Sequence, residues 1–531
     1  MSRTIRKTPQ RTRGTLAAAY CGFALCIAAS VFFGIRVWHG FWFLAFSDEA
    51  EHILGGRMLN AGGRLYVTYV DTHGPVIFMF TQAYGALFGW LHPSYTRFIM
   101  PILSIFSALS IILSPILCSA AERFISISIF FSLISIVWIV QGIYLLNFYQ
   151  ISGFFCVIGI SLFIVCAWKG CKIHKYFAII SGCSFSIVIF TAYSFAPSVI
   201  ILTISGFMSL INENKKSSIF YFITGAMSGS IFIVIWLLIY GNLINYFVFH
   251  VIFNQISYAK FINFSFSSFF HSLEFSFSQS REIQTFSVLF CFLSCLLFVL
   301  TELGARERPR QILPILVGYA GILLLNARGS LIFQDATFLV TSIGTLSLAV
   351  AGAARRFYPM ERPVFAVFGT LVIATCIAGT EFAGRQALST PAPLTRSEIV
   401  SEPESAAYRP MNSPLYAKVR SIVRPNEKVL ALPYAPEFYW YADRLPMDGY
   451  YEYLPWDAAY AKHPWFGRAR DICDSLKKSP PRLIYFDNWK VWGMYAPEDY
   501  MPCVLNILAT KYVRLDAYPT LYVRRDVEIA R

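Results

Sequence analysis

Residues 47–89 read SDEAEHILGGRMLNAGGRLYVTYVDTHGPVIFMFTQAYGALFG. Ser47 is placed to cap a helix beginning at Asp48, and the acidic residues Asp48, Glu49 and Glu51 fill its positive first turn. Leu54, Met58 and Leu59 give that helix an apolar stripe, Gly62-Gly63 ends it, and Pro75 opens the next apolar run, where a missing N–H costs nothing. The expected helix lies along a membrane surface, between two polar clusters, Asp48–Glu51 and Asp71-Thr72-His73. Two readings of the carboxylates stay open. They stabilise a helix end, or they form a site, because charge beside lipid is costly and is usually kept for function.

The membrane follows from what lies on either side. Of 531 residues 56% are hydrophobic and only 14% charged, and the mean hydropathy is +0.54; a soluble chain carries about a quarter charged residues. Apolar runs occupy about 16–37, 76–91, 98–119, 124–140, 152–168, 176–192, 196–211, 218–241, 285–303, 311–327, 331–353 and 363–380. A bilayer core of about 30 Å takes roughly 20 residues of helix, and unpaired backbone in lipid forces such runs to be helical. The fold class is a polytopic α-helical membrane protein of about 11 spans, with residues 1–15 as a basic cytoplasmic N-terminus, 16–380 as the membrane domain, 38–75 as its first external loop, and 381–531 as a soluble α/β domain outside.

The net charge of +14 does not indicate nucleic acid. Arg3, Arg6, Lys7, Arg11 and Arg13 precede the first run, and Lys169–Lys175, Lys215-Lys216, Arg306–Arg310 and Arg355-Arg356 sit between later ones. This is the positive-inside pattern of short cytoplasmic loops. Four full crossings between 76 and 168 would place Lys169 outside, against its charge, so one of those segments is expected to be re-entrant, merged or interfacial. Residues 261–280, rich in Phe and Ser, suit an interfacial helix or one packed on the spans. In the soluble part, strands are expected at Lys428–Leu432, Arg482–Phe486, Lys511–Leu515 and Leu521–Arg524, with a helical stretch near Ala458–Lys478 and a turn at Tyr518-Pro519. Most of the 12 cysteines fall in apolar runs; Cys473 and Cys503 are either a disulfide or two free thiols.

The loop resembles that of the GT-C superfamily of membrane glycosyltransferases, in the branch that holds protein O-mannosyltransferases and lipid A aminoarabinose transferases. Ser47-Asp48-Glu49, Met58-Leu59, Gly62-Gly63, Gly74-Pro75 and Leu87-Phe88-Gly89 follow that branch's order and spacing. The resemblance implies inverting transfer of a hexosyl or pentosyl group from a polyprenyl-phosphate sugar to an acceptor hydroxyl of an envelope glycan, lipid A or a protein, at the outer face of the cytoplasmic (inner) membrane. It places the general base on Asp48, with Glu49 orienting Asp48 or a cation. Arg57, Arg64 and Arg328 are candidates to stabilise the leaving phosphate, or else snorkel to lipid headgroups. Asp71, His73, Asn147 and Asp335 complete the candidate substrate-binding set. The branch often has a second carboxylate in a later external loop, where Tyr144–Gln150 offers only Asn147 and Gln150; the resemblance allows a divalent metal, and this departure argues against one. Asp48–His52 resembles a DExxH string without the first His or third ligand of a metalloprotease. A transporter or lipid flippase, and a non-catalytic assembly protein, are the alternatives; a transporter should carry repeats and broken helices with polar residues at mid-depth.

Overall fold

The computed structural model describes residues 13–42, 48–89, 93–140, 142–261, 282–303, 309–326, 336–357 and 413–527. The expected last span 363–380, the linker that follows it and the Phe/Ser-rich stretch 262–280 lie outside the described residues, as do Arg328 and Asp335.

Up to Phe357 the described chain is helical: α1 (Arg13–Trp42), α2 (Glu49–Asn60), α3 (Pro75–Phe88), α4 (Ile99–Leu113), α5 (Ala120–Val140), α6 (Phe148–Trp168, with a π-turn at Ile160–Ile164), α7 (Lys175–Thr191), α8 (Ala196–Asn212), α9 (Lys216–Tyr240), α10 (243–256), α11 (Glu282–Leu303), α12 (Ile312–Leu324) and α13 (Ala336–Phe357). Six stretches among the described residues are long and apolar enough to cross a membrane: Thr96–Leu113, Ala120–Trp138, Phe148–Trp168, Tyr193–Asn212, Lys216–Tyr240 and Ala336–Ala353. Five further apolar helices are shorter.

Lipid supplies no hydrophobic drive between such helices, so they associate through close packing and hydrogen bonds. Both devices are present. A Cβ on Gly182 of α7 would lie 2.1 Å from the Phe222 carbonyl oxygen of α9, and one on Gly225 would lie 2.0 Å from that of Ile179, so the two backbones touch. Hydroxyls bridge other helices: Ser107 donates to the Phe154 carbonyl at 3.1 Å, Ser114 to that of Ser161 at 2.7 Å, and Thr337 to that of Tyr149 at 2.7 Å.

The bundle has two unlike ends. At one, Lys169 pairs with Glu302 at 2.5 Å, Lys215 donates to the Gly170 carbonyl at 2.5 Å and Gln311 to Glu213 at 3.4 Å. At the other, the Leu65 N–H reaches the Tyr240 carbonyl at 2.8 Å, Gly74 lies against the Phe190 and Thr191 carbonyls, and Arg97 meets Glu49. Both limits of the stretch from Pro75 to Arg97 are therefore at this second end. Within it lies α3, of 14 residues. Of the four segments expected between 76 and 168, this is the one whose two limits meet.

Helix α2 departs from the expectation of a helix lying on the membrane surface. Every residue from Glu49 to Leu59 except Arg57 is buried. Gly55 and Gly56 leave no Cβ between α2 and the Phe78 ring and Thr81 of α3, so the two helices close tightly. On its other side α2 meets the C-terminal domain.

That domain, 413–527, is an α/β unit of α14 (Pro414–Ile422), β1 (Leu430–Leu432), α15 (Pro436–Ala442), α16 (Pro455–Lys462), α17 (Ile472–Lys478), β2 (Leu483–Phe486), α18 (Pro502–Lys511), β3 (Tyr512–Leu515) and β4 (Tyr518–Arg524), with a single helical turn at Pro497–Tyr500. The sheet order is β1-β2-β4-β3; β1 and β2 are parallel (Leu430 opposite Ile484) and the other pairs antiparallel. All four expected strands are present. The expected helix over 458–478 is instead two, α16 and α17, because Pro464 and the left-handed Gly467 (φ +65°) interrupt it. The β3–β4 turn is Asp516-Ala517, two residues earlier than Tyr518-Pro519, which begin β4. Cys473 and Cys503 form a disulfide between α17 and α18, with Cα atoms 6.1 Å apart.

If the α7–α9 crossing is as close as the glycines imply, Gly225→Leu costs about 2 kcal/mol or more through overpacking. Thermal unfolding in detergent should show a lowered midpoint, and an unchanged midpoint would contradict the crossing.

Candidate active site

The site is built where the first turn of α2, the loop back to α3 and the soluble domain converge. Glu49 is fully buried, and its carboxylate accepts from Arg97 Nε (2.9 and 3.0 Å), Arg97 Nη2 (2.6 Å) and the Leu146 N–H (3.0 Å). Arg97 also lies 4.8 Å from the Tyr144 ring centre. Glu49 thus ties α2 to the approach of α4 and to the segment before α6. Its neighbour Asp48, half-buried at the helix start, accepts the His52 N–H on its backbone carbonyl at 3.3 Å.

One turn along, Glu51 points to the opposite polar cluster. His73 Nδ1 is 2.8 Å from Asp71 Oδ1 and 2.9 Å from Glu51 Oε1, and the His73 N–H donates to Asp71 Oδ1 at 2.7 Å. The Tyr451 hydroxyl, from the soluble domain, bridges Glu51 Oε2 (3.1 Å) and Asp71 Oδ2 (3.0 Å), and Tyr434 approaches Glu51 Oε2 at 3.4 Å. Tyr69 donates to the Glu51 carbonyl and Tyr66 to the His73 carbonyl, each at 2.6 Å, which fixes the loop.

Burial and neighbours set unequal charge states. Burial would lower the His73 pKa, but Glu51 and Asp71 hold it well above the usual histidine range. Burial would raise Asp71, but His73 outweighs it and brings Asp71 down to about 2. Burial raises Glu51 to about 7, with Asp71 adding to the rise and His73 opposing it. His52 is lowered to about 3 by burial and by His73, so its 3.5 Å approach to Glu51 is not an ion pair. The resulting arrangement is an Asp71–His73 ion pair beside Glu51, whose carboxyl is shared between its protonated and ionised forms near neutral pH and, when protonated, can donate to Tyr451 while Tyr451 donates to Asp71. Behind it, Glu452 is raised well above the usual carboxyl range by burial and by Asp457, and Asp457 pairs with Arg470.

The structure brings Asp48, Glu49, Asp71, His73 and Asn147 to one end of the bundle. Asn147 is buried at the start of α6, next to Leu146, whose carbonyl is 3.4 Å from His52 Nδ1. Arg57 and Arg64 are engaged: Arg57 pairs with Asp443 and lies 5.4 Å from the Trp440 ring, and Arg64 donates to the Gly241 carbonyl at 2.5 Å. Arg97 escaped sequence reasoning altogether, and three other participants were legible in part or not at all. Glu51 was legible only as part of an acidic helix start, His52 only as part of a DExxH-like string, and Tyr451 gave no signal, being 400 residues from Glu51. Ligand atoms of Glu51, His52 and His73 all lie within 4.8 Å of one another, and two imidazoles with one carboxylate suit a divalent ion of the zinc type.

No protein-family model and no curated protein sequence matches the chain. Solved structures do. ArnT from Cupriavidus metallidurans in the apo state superposes with a TM-score of 0.55 at 11% identity, over 95% of this chain and 98% of that one. The same protein bound to undecaprenyl phosphate gives 0.55 at 9%, over 98% and 100%. The chain has the ArnT fold. ArnT is a GT-C superfamily membrane glycosyltransferase, so the fold expected from the first loop is the fold found. The Archaeoglobus fulgidus oligosaccharyltransferase AglB is a more distant likeness, with a TM-score of 0.47 at 11% identity over 96% of this chain and 75% of that one.

Two outcomes follow for this site. Arg97→Met leaves Glu49 buried without its cation and costs roughly 3–5 kcal/mol, whereas Arg97→Met with Glu49→Met recovers most of it; chemical or thermal unfolding of the three proteins tests this. Folding raises Glu51 from 4.5 to about 7, so the unfolded chain ionises first. The stability Glu51 contributes is therefore present below about pH 4.5 and is lost as the pH rises through about 7. Thermal midpoints should fall less over that window for Glu51→Gln than for the unaltered protein.

Proposed function

We propose that the chain is an inverting glycosyltransferase, moving a hexosyl or pentosyl group from a polyprenyl-phosphate donor to an acceptor hydroxyl at the outer face of the cytoplasmic membrane. The observation that carries the proposal is the half-buried Asp48, set on the same helix turn as the anchored Glu49 and beside the Glu51–Asp71–His73 cluster, in an ArnT fold. The ArnT structure with undecaprenyl phosphate supports a lipid-phosphate donor.

In the proposed reaction the acceptor hydroxyl gives its proton to Asp48 as its oxygen attacks the anomeric carbon from the face opposite the phosphate. The bond from that carbon to the phosphate oxygen breaks, and polyprenyl phosphate leaves with the electron pair. Asp48 can act because Glu49, saturated by Arg97 and Leu146, holds the helix start still. The leaving phosphate needs a fixed positive group. Protonated His73 is one; Arg328 is another from the sequence. Arg57 and Arg64 serve only by releasing Asp443 and the Gly241 carbonyl. Asn147 and Asp335 are assigned to substrate contact; a divalent ion held by Glu51, His52 and His73 would be an alternative source of positive charge, because holding it requires His73 to give up its proton. The acceptor class is an envelope glycan, lipid A or a protein hydroxyl.

The same reading gives the topology: residues 1–15 inside, about 11 crossings within 16–380 with Pro75–Phe88 not among them, and 381–531 outside. With that helix set aside, Lys169, Lys215 and Arg310 fall on one side, as their charge requires. The Cys473–Cys503 disulfide supports an oxidising compartment for the domain. The transporter or flippase reading is not favoured, since the site's polar groups gather at one end of the bundle and not at mid-depth.

Asp48→Asn should lower transfer from a polyprenyl-phosphate sugar in membranes by about 100-fold or more; normal turnover by folded protein would sink the mechanism. Cys473 and Cys503 should resist alkylation in unreduced cells, and Cys473→Ser should cost about 2–4 kcal/mol of domain stability. Alkylation of both thiols in intact cells would place the domain elsewhere.

A further inference from the structure

Helix α10 begins three residues after α9 ends at Tyr240 and packs on the first loop, where Asn245 donates to the Tyr66 carbonyl at 2.7 Å and Asn254 to that of Thr72 at 2.8 Å. The soluble domain lies on it through α16. The Tyr460 ring is 5.8 Å from Phe249 and 5.2 Å from Phe253, and one turn earlier Trp456 is 5.0 Å from Tyr258 and 5.9 Å from Phe261. Two turns of the domain flank this contact. The turn at 464–467 follows α16 directly, and the Trp465 N–H reaches the Tyr460 hydroxyl at 3.3 Å. The turn at 489–494 joins the other side, where Trp492 lies 5.0 Å from Trp456 and 6.4 Å from Tyr258.

Both turns present large apolar groups outward. Phe466 is 71% exposed, Met494 64%, and Trp465, Trp489 and Trp492 42% each. Phe466 (φ +50°) and Trp492 (φ +54°) adopt a left-handed backbone that bulky residues rarely take, each followed by a left-handed glycine. A soluble domain gains nothing from such side chains in water. Around them Lys260, Lys462, Arg468 and Lys490 are exposed, with the exposed acids Asp471, Asp487, Glu498 and Asp499 nearby; Arg468 and Lys490 are the bases set beside or within the two turns. Tryptophan with basic residues is the composition that settles at the headgroup layer of an anionic membrane.

We propose that the turns 464–467 and 489–494 rest in the headgroup layer of the outer leaflet, and that this lipid contact holds the soluble domain down over the site. The proposal depends on the external placement of the domain and not on the transfer reaction. The patch continues the α10–α16 contact, and α10 is joined directly to a membrane helix, so the leaflet is the surface it meets first. Arg468 and Lys490, beside and within the two turns, then favour anionic phospholipid over neutral.

The test uses the full chain in nanodiscs of phosphatidylethanolamine and phosphatidylglycerol, with benzoylphenylalanine replacing Phe466, Trp492 or, as control, Val513. Val513 is similarly exposed, at 42%, on β3, the edge of the sheet away from β1. After irradiation, positions 466 and 492 should carry lipid acyl chains by mass spectrometry and position 513 should not. Arg468→Glu with Lys490→Glu should reduce the lipid yield in phosphatidylglycerol discs and leave it unchanged in phosphatidylcholine discs. Lipid yields at 466 and 492 no higher than at 513, or crosslinks from them into residues 262–281 or a second protein, would overturn the proposal. Because no activity is read, this result stands apart from the Asp48→Asn assay.

Discussion

The buried pair of Glu49 and Arg97 is the contact on which the site depends. Removing two charges from water beside lipid is costly, and only good geometry with every lone pair used offsets it. Here both carboxylate oxygens are occupied, by the guanidinium and by the Leu146 N–H. The pair therefore fixes three separate segments: the start of α2, the approach to α4 and the loop before α6. Once that turn is fixed, the helix period decides the rest. Asp48 is left at the rim and Glu51 faces Asp71 and His73.

The second constraint comes from the soluble domain. Tyr451 touches both Glu51 and Asp71, and the Gly449 N–H donates to the Thr68 carbonyl at 2.8 Å. Arg57, on the far side of α2, pairs with Asp443 and lies over Trp440. The domain is thus hydrogen-bonded to the loop that carries the ionic groups, and its burial of Glu51 is what raises that carboxyl.

Much of the fold was legible in the sequence because it rests on local rules. The apolar runs, Pro75 at a helix start, the positive-φ Gly62 after α2 and the four strands all follow from hydropathy, proline and glycine chemistry. The misplaced features have equally local causes. Pro464 and Gly467 split one expected helix into two, and the β3–β4 turn slid by two residues because Tyr518 already pairs with Leu515. The conflict over Lys169 was visible as charge. Its resolution, a short α3 whose surroundings return to the same end, needed the packing of Arg97 on Glu49.

By itself, then, the sequence determined a multi-span membrane protein with a soluble α/β end, and pointed to the first loop as the place where ionisable groups concentrate beside lipid. Hydropathy and turn chemistry act over a few residues, and a linear reading captures them. The tertiary structure alone decided which of the three neighbouring carboxylates is locked by a guanidinium, which is half-buried at the helix start and which has its pKa raised. Those differences arise from Arg97, Leu146, His73 and Tyr451, groups between 22 and 400 residues away that reach Glu49 and Glu51 only when the chain is folded. A carboxylate's role is set by what surrounds it in space, and sequence order does not carry that information.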